Sequence, residues 1–170
     1  MENWKDLYTE IATKLQTEVP GVKWIDLWHN QVNFLEEEHP FPAPALFLSF
    51  RALSADDRSK NIQDLNTQVD VYVFFETFAD TFMGSFNQNS ALAFLDATSL
   101  VNKALHGASG TNYTSMRKVA LVPVDTGSAQ NLYKVSIACL VTDESAAKID
   151  DDIVDDDGDG ENEFADYIVD

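Results

Sequence analysis

Apolar residues recur at spacings of three and four near the start of the chain. Trp4, Leu7, Tyr8, Ile11 and Leu15 form one stripe within residues 3–18. That periodicity predicts an amphipathic helix, and Pro20-Gly21 stops it. Val22–Trp28 follows as a short strand, then a polar, acidic connection over Gln31–His39. Pro40, Pro42 and Pro44 stiffen the approach to the next element, because each fixes φ and lacks an amide donor. At Ala45 the period changes to two. Leu46, Leu48 and Phe50 share one face of a predicted strand, and Ala45, Phe47 and Ser49 the other.

Residues 52–63 carry Ser54, Asp56, Asp57, Arg58, Ser59 and Lys60 and read as a polar loop. A long strand is predicted over Leu65–Phe78, with Val69, Val71, Val73 and Phe75 on one face. Gln68, Asp70, Tyr72, Phe74 and Glu76 occupy the other, which suggests one buried and one wetter face. A second helix is expected over Gln88–His106, with the stripe Ala91, Phe94, Leu95, Thr98, Val101 and Leu105, closed by Gly107 as its cap. Two further strands, Met116–Val124 and Leu132–Thr142, are joined across Asp125-Thr126-Gly127-Ser128. The expected fold class is α+β, in the order α-β-β-β-α-β-β: a mainly antiparallel sheet with two helices packed on one face.

Charge divides the chain. Residues 143–170 hold 13 acids against the single base Lys148, a net of −12, which leaves −6 for residues 1–142. We therefore expect an α+β domain over 1–142 and an acidic C-terminal tail over 143–170, mostly disordered in isolation because so little apolar surface offsets its ordering entropy. Phe164, Tyr167, Ile168 and Val169 are its few sticky points. A surface of this sign repels phosphate, which argues against sequence-specific nucleic-acid binding. Cys139 is the one cysteine, so an internal disulfide is excluded. The polar start of the chain argues against a signal peptide, and no apolar run is long enough to span a membrane.

Candidate chemistry is sparse. Asp155, Asp157, Asp159, Glu163 and Asp166, with Gly160 at the turn, have the spacing of a twelve-residue calcium loop. Against this, Asn162 stands where such loops place an apolar residue, and no helix is expected before it; a solvated acidic tail is the simpler reading. The histidines His29, His39 and His106 are scattered, without a second imidazole or a cysteine at ligand spacing. Ser109 lies in His106-Gly107-Ala108-Ser109-Gly110, but a nucleophile elbow needs a strand before it and a helix after, and here the helix precedes. Cys139, on the apolar face of a strand, reads as a buried thiol. No cofactor is expected and no catalytic residue is nominated. Phe82, Met83 and Phe86, in a loop over 80–87, either fold back onto the core or meet another subunit.

A resemblance gives these features a common setting. An opening helix ends at Val19-Pro20-Gly21, and Phe41-Pro42-Ala43-Pro44-Ala45-Leu46-Phe47-Leu48 enters a strand. The long Val69–Phe78 strand carries Asp70 and Tyr72, and a helix ends Ala104-Leu105-His106-Gly107. Asp125, Asn131, Tyr133, Val135 and Asp143 complete the pattern. In this joint order residues 3–145 resemble the tail-terminator, or tail-completion, proteins of long-tailed bacteriophages and prophages. The resemblance implies a non-enzymatic subunit of a homo-oligomeric ring, a hexamer, that caps the tail tube and joins it to the head connector. It also implies a location in the virion tail, and in the bacterial host cytoplasm during assembly. Heterologous ring contacts suit exposed sheet edges and apolar loops, and an acidic lumen would let DNA pass. Phe82, Met83 and Phe86, together with Asp56, Asp57 and Arg58 of the 52–63 segment, are the expected interface. The competing expectation is an acidic protein-binding module, an inhibitor or nucleic-acid mimic acting through the tail.

Overall fold

A computed structural model describes residues 4–33, 41–76, 81–125 and 131–147. Helix α1 (Trp4–Glu18) opens the chain and buries Leu7, Ile11 and Leu15, the stripe expected from its period. On its outer side the hydroxyls of Thr9, Thr13 and Thr17 donate back to carbonyls four residues earlier. The chain then turns through Gly21 into β1 (Trp24–Leu27), which lies parallel to the start of β2 (Ala45–Ser59). A parallel neighbour requires a crossover, and the connection between them, with its short 3-10 turn at Gln31–Asn33, supplies it. β3 (Ile62–Phe75) returns antiparallel to β2. Helices α2 (Gln88–Ala91) and α3 (Ala93–Leu105) precede the last two strands, β4 (Thr114–Pro123) and β5 (Asn131–Asp143). The five strands form one sheet in the order β1-β2-β3-β5-β4, antiparallel everywhere except β1·β2. Fold class and element order are those expected from the sequence.

α1 and α3 both pack on one face. There Leu7, Ile11, Leu15 and Val19 of the first helical segment and Val101, Ala104 and Leu105 of α3 meet the inward side chains of the sheet. Those include Leu46, Leu48, Val69, Val71, Val135 and Ile137. Among the described residues no helix is long and apolar enough to cross a membrane.

Three local expectations are corrected. The polar loop expected over 52–63 is a β-hairpin: β2 runs on to Ser59 and β3 starts at Ile62, with register shifts at Ala52/Ser54 and Asp57/Ser59. Composition pointed to a loop, but β3 satisfies the backbone groups of these polar residues, and a strand tolerates polar side chains when both faces meet water.

The second helix is not continuous. It breaks at Leu92, where φ −88° and ψ −1° tighten the turn and Leu95 N–H bonds to Leu92 O, three residues back. Asn87, Asn89 and Ser90 compete with the helix for backbone hydrogen bonds, so its first turn is weak. Leu95, placed in the stripe, is exposed.

The wetter face of the sheet is apolar at one end. Val32, Ala45, Phe47, Phe74 and Leu132 are buried there as a second cluster, because the β1–β2 connection lays Trp28 and Phe41 across it. Trp28 stacks on Tyr72 at 4.0 Å, and Phe41 meets Phe47 and Phe74 edge-on at 5.0 and 5.4 Å.

Candidate assembly surfaces

The apolar loop before α2 is exposed. Phe82 is 64% exposed, Met83 89%, and Phe86 fully so. Of the two outcomes open for these residues, folding back onto the core is not what the chain does. Their backbone is nevertheless held in place: Gln88 Nε2 donates to Thr81 O, Gly84 N–H to Gln88 Oε1, and Ser85 Oγ to Asn87 Oδ1. Three large apolar side chains in one short ordered turn are a concentration that a solitary soluble chain avoids.

Asp56, Asp57 and Arg58 lie on the outer half of β2, exposed. Arg58 Nε reaches Asp64 Oδ2 at 3.0 Å, and Gln63 Nε2 donates to Asp57 Oδ1 at 2.9 Å, so both pairs tie the hairpin across its own strands. Exposed pairs of this kind contribute little stability. The hairpin and the 81–87 loop are not brought together in sequence order: the chain leaves β3 at the end away from the hairpin turn before entering that loop.

Among the described residues two stretches of sheet edge are unpaired, and sequence reasoning missed both. β1 pairs with β2 only as far as Leu48, where Trp28 N–H caps the Leu48 carbonyl at 2.8 Å. Past that point, among the described residues, no segment pairs with the outer edge of β2, and every residue from Arg51 to Ser59 is exposed. A groove of about 520 Å³ flanks the start of this free edge, lined by Trp4, Tyr8, Leu27, Trp28, Phe50 and Ala52 among others. At the far side of the sheet, the segment just after α3, His106 to Ala108, sheathes the first half of β4. Gly107 N–H donates to Met116 O at 2.7 Å, Met116 N–H to Ala108 O at 3.0 Å, and Lys118 N–H to His106 Nδ1 at 3.1 Å. The second half has no such cover among the described residues, and Val119, Leu121 and Val122 are exposed. The available signal was the sequence Arg117-Lys118-Val119-Ala120-Leu121-Val122, a basic and apolar run that does not alternate.

Cys139, Ser109 and Asp70 are engaged within the fold. Cys139 is buried, and burial pushes its thiol up to about 11, so the reactive thiolate is scarce at neutral pH. Ser109 Oγ accepts the N–H of Ser115 at 3.1 Å, as part of the loop after α3. Asp70 accepts from Ser136 Oγ and, at 2.8 Å, from Gln68 Nε2, with Lys134 Nζ 3.8 Å away. Beside it, Tyr72 has its phenol pKa raised by burial and by Asp70, with Arg51 opposing.

Glu10 of α1 accepts the backbone N–H groups of Thr111 and Asn112 at 2.6 and 2.9 Å and Asn112 Nδ2 at 2.8 Å. A Cβ at Gly110 would run into Glu10 Oε1 and the Tyr113 ring, so a side chain there would displace the Glu10 carboxylate from this arrangement. This clamp joins residues 101 positions apart, and no local pattern announces it.

No protein-family model matches the chain, and no curated protein matches its sequence. Among the described residues no group of three or more His, Cys, Asp or Glu side chains is arranged to hold a metal ion. The calcium-loop residues Asp155, Asp157, Asp159, Glu163 and Asp166 lie outside the described residues, as do His39 and the rest of the tail from 148.

Proposed function

We propose that this chain is a structural assembly subunit of the phage tail-terminator type, acting as a homo-oligomeric ring that caps a tail tube and meets a head connector. The observation that carries the reading is the exposure of Phe82, Met83 and Phe86 in an ordered turn. Burying such side chains is worth roughly 1.5–3 kcal/mol each, which favours a partner surface over water. Two edges left unpaired among the described residues add to it, since head-to-tail contacts between unlike surfaces generate rings when their rotation closes. The resemblance over residues 3–145 supplies the class of assembly, and the acidity of the chain, net −18, suits a passage for DNA without adhesion.

The test is the solution mass of the full chain by light scattering, with and without calcium, over a wide concentration range. A closed species of fixed mass, about six subunits and independent of calcium, is expected. A monomer at every concentration would sink the ring and leave the acidic binding module. A mass that changes only with calcium would move the function to the tail.

A further inference from the structure

We infer that copies of this chain join edge to edge through one sheet: the uncovered half of β4 in one copy adds as a strand to the open edge of β2 in the next. The inference rests on the ring reading above and names its contact. β4 ends the sheet at one side, and past Leu48, where β1 stops, β2 is the edge at the other, so a β4-to-β2 contact is heterologous and repeats from copy to copy. Each is incomplete in a complementary way. Among the described residues β2 has a free edge starting at Phe50, beside an apolar groove. Among the described residues β4 offers a free edge over 119–123 with exposed Val119, Leu121 and Val122; Leu121, the neighbour of Val135, lies on the helix-covered face of the sheet, the face of Trp4 and Tyr8 in the groove, and Val122 lies on the other.

Charge chooses the occupant. Thr114–Pro123 contains Arg117 and Lys118 and no acid, in a chain of net charge −18. Copies of so acidic a protein repel one another unless the surfaces that meet are neutral or opposite in sign. The outer half of β2 is neutral overall, with Asp56 and Asp57 balanced by Arg51 and Arg58, so it does not repel those two bases, and its two acids can face them. Direction follows from space. A parallel β4 would run its first half into β1, which fills that position as far as Leu27. An antiparallel β4 places Leu121 near Ala52 and leads Arg117 and Lys118 toward Asp56 and Asp57. The irregularities at Ala52/Ser54 on β2 and at Lys118/Ala120 on β4 then fall beside each other. Bulges bend strands, so the two edges can part there, where the segment just after α3 sheathes β4.

The experiment is oxidative cross-linking of the full chain carrying Ala52→Cys, Leu121→Cys, or both, read on a non-reducing gel beside the solution mass. Cys139 is buried and stays in place. The double variant should give a ladder of dimers, trimers and higher species. The single variants should give none alone and a dimer when mixed. Cross-linking of Leu121→Cys by itself would mean β4 pairs with β4 and would overturn the inference, as would the absence of any ladder. A closed ring without the ladder removes this contact and leaves the ring standing. A ladder without a closed mass keeps the contact and removes the ring.

Discussion

β2 is one strand with two unlike halves. Ala45–Leu48 is buried on both faces, between the helices on one side and the Trp28–Phe41 cover on the other, and it has strands on both edges. Arg51–Ser59 has one paired edge and no buried residue. The change is abrupt even along a single row of the sheet. Ala52 is exposed, its neighbour Thr67 on β3 is fully buried, and Thr67's neighbour Cys139 on β5 is buried as well. Strands lie about 4.8 Å apart, so full cover becomes none within one strand spacing. Backbone pairing therefore extends farther than the core does. The outer half of β2 holds its shape through the ladder to β3, and that leaves its far edge and side chains available to something else.

The largest expected break of this contrast is at Phe47. Truncation by Phe47→Ala removes a fully buried ring contacted by Trp28 and Phe41, and should cost about 3–5 kcal/mol in a denaturant titration. A cost below about 1 kcal/mol would show that the second cluster is loosely packed.

Alkali probes the buried end of the Ala52–Thr67–Cys139 row. Burial raises the Cys139 thiol from 9.0 to about 11, so the folded state keeps its proton where the unfolded state loses it. That contribution, about 2–3 kcal/mol, is whole below pH 9 and is lost as pH rises to 11. Cys139→Ala should remove this part of the alkaline slope. An unchanged slope would assign it to the tyrosines, since Tyr8, Tyr72 and Tyr113 are also shifted upward, each mainly by burial.

The cover over the same row includes Tyr113, whose loop Glu10 holds through two backbone bonds and one side-chain bond. Glu10→Ala should cost about 2 kcal/mol by leaving those donors without their carboxylate. Amide exchange at Thr111 and Asn112 should rise before any global loss. If those amides stay protected, the clamp does not hold the loop.

Thr67 sharpens the contrast in the opposite direction. Its hydroxyl is buried with no hydrogen-bond partner, so Thr67→Val should stabilise by about 1 kcal/mol. A loss of stability would reveal an ordered water at the hydroxyl. The smallest effect belongs to the open half. Leu53→Ser, on an exposed residue of β2, should change the stability of the isolated chain by less than about 0.5 kcal/mol.

Much of the fold was legible because its periodic segments answer to one burial geometry. The α1 stripe and the alternation of Val69, Val71 and Val73 and of Val135, Ile137 and Cys139 point at a single core, and those residues are buried in it. The candidate surfaces were legible in part. Phe82, Met83 and Phe86 stand out as apolar residues in a loop, but only their neighbours decide whether they turn inward. The hairpin over 52–63 is not legible locally, because its strand character comes from pairing with β3 and not from its own side chains. Alternation alone predicts a wetter face for Phe74, because its cover comes from Val32 and Phe41, too distant for any local period to register.

The sequence by itself determined the helices' apolar stripe, the strands of period two, the order α-β-β-β-α-β-β and the division of charge along the chain. These follow from local spacing, since burial on one face needs a fixed repeat. Tertiary structure alone decided the parallel place of β1, the early end of its pairing at Leu48, the sheathing of β4 by the segment just after α3 and the Glu10 clamp. Each depends on which distant segments come to lie side by side. An open edge is a property of neighbours, and no residue carries it alone.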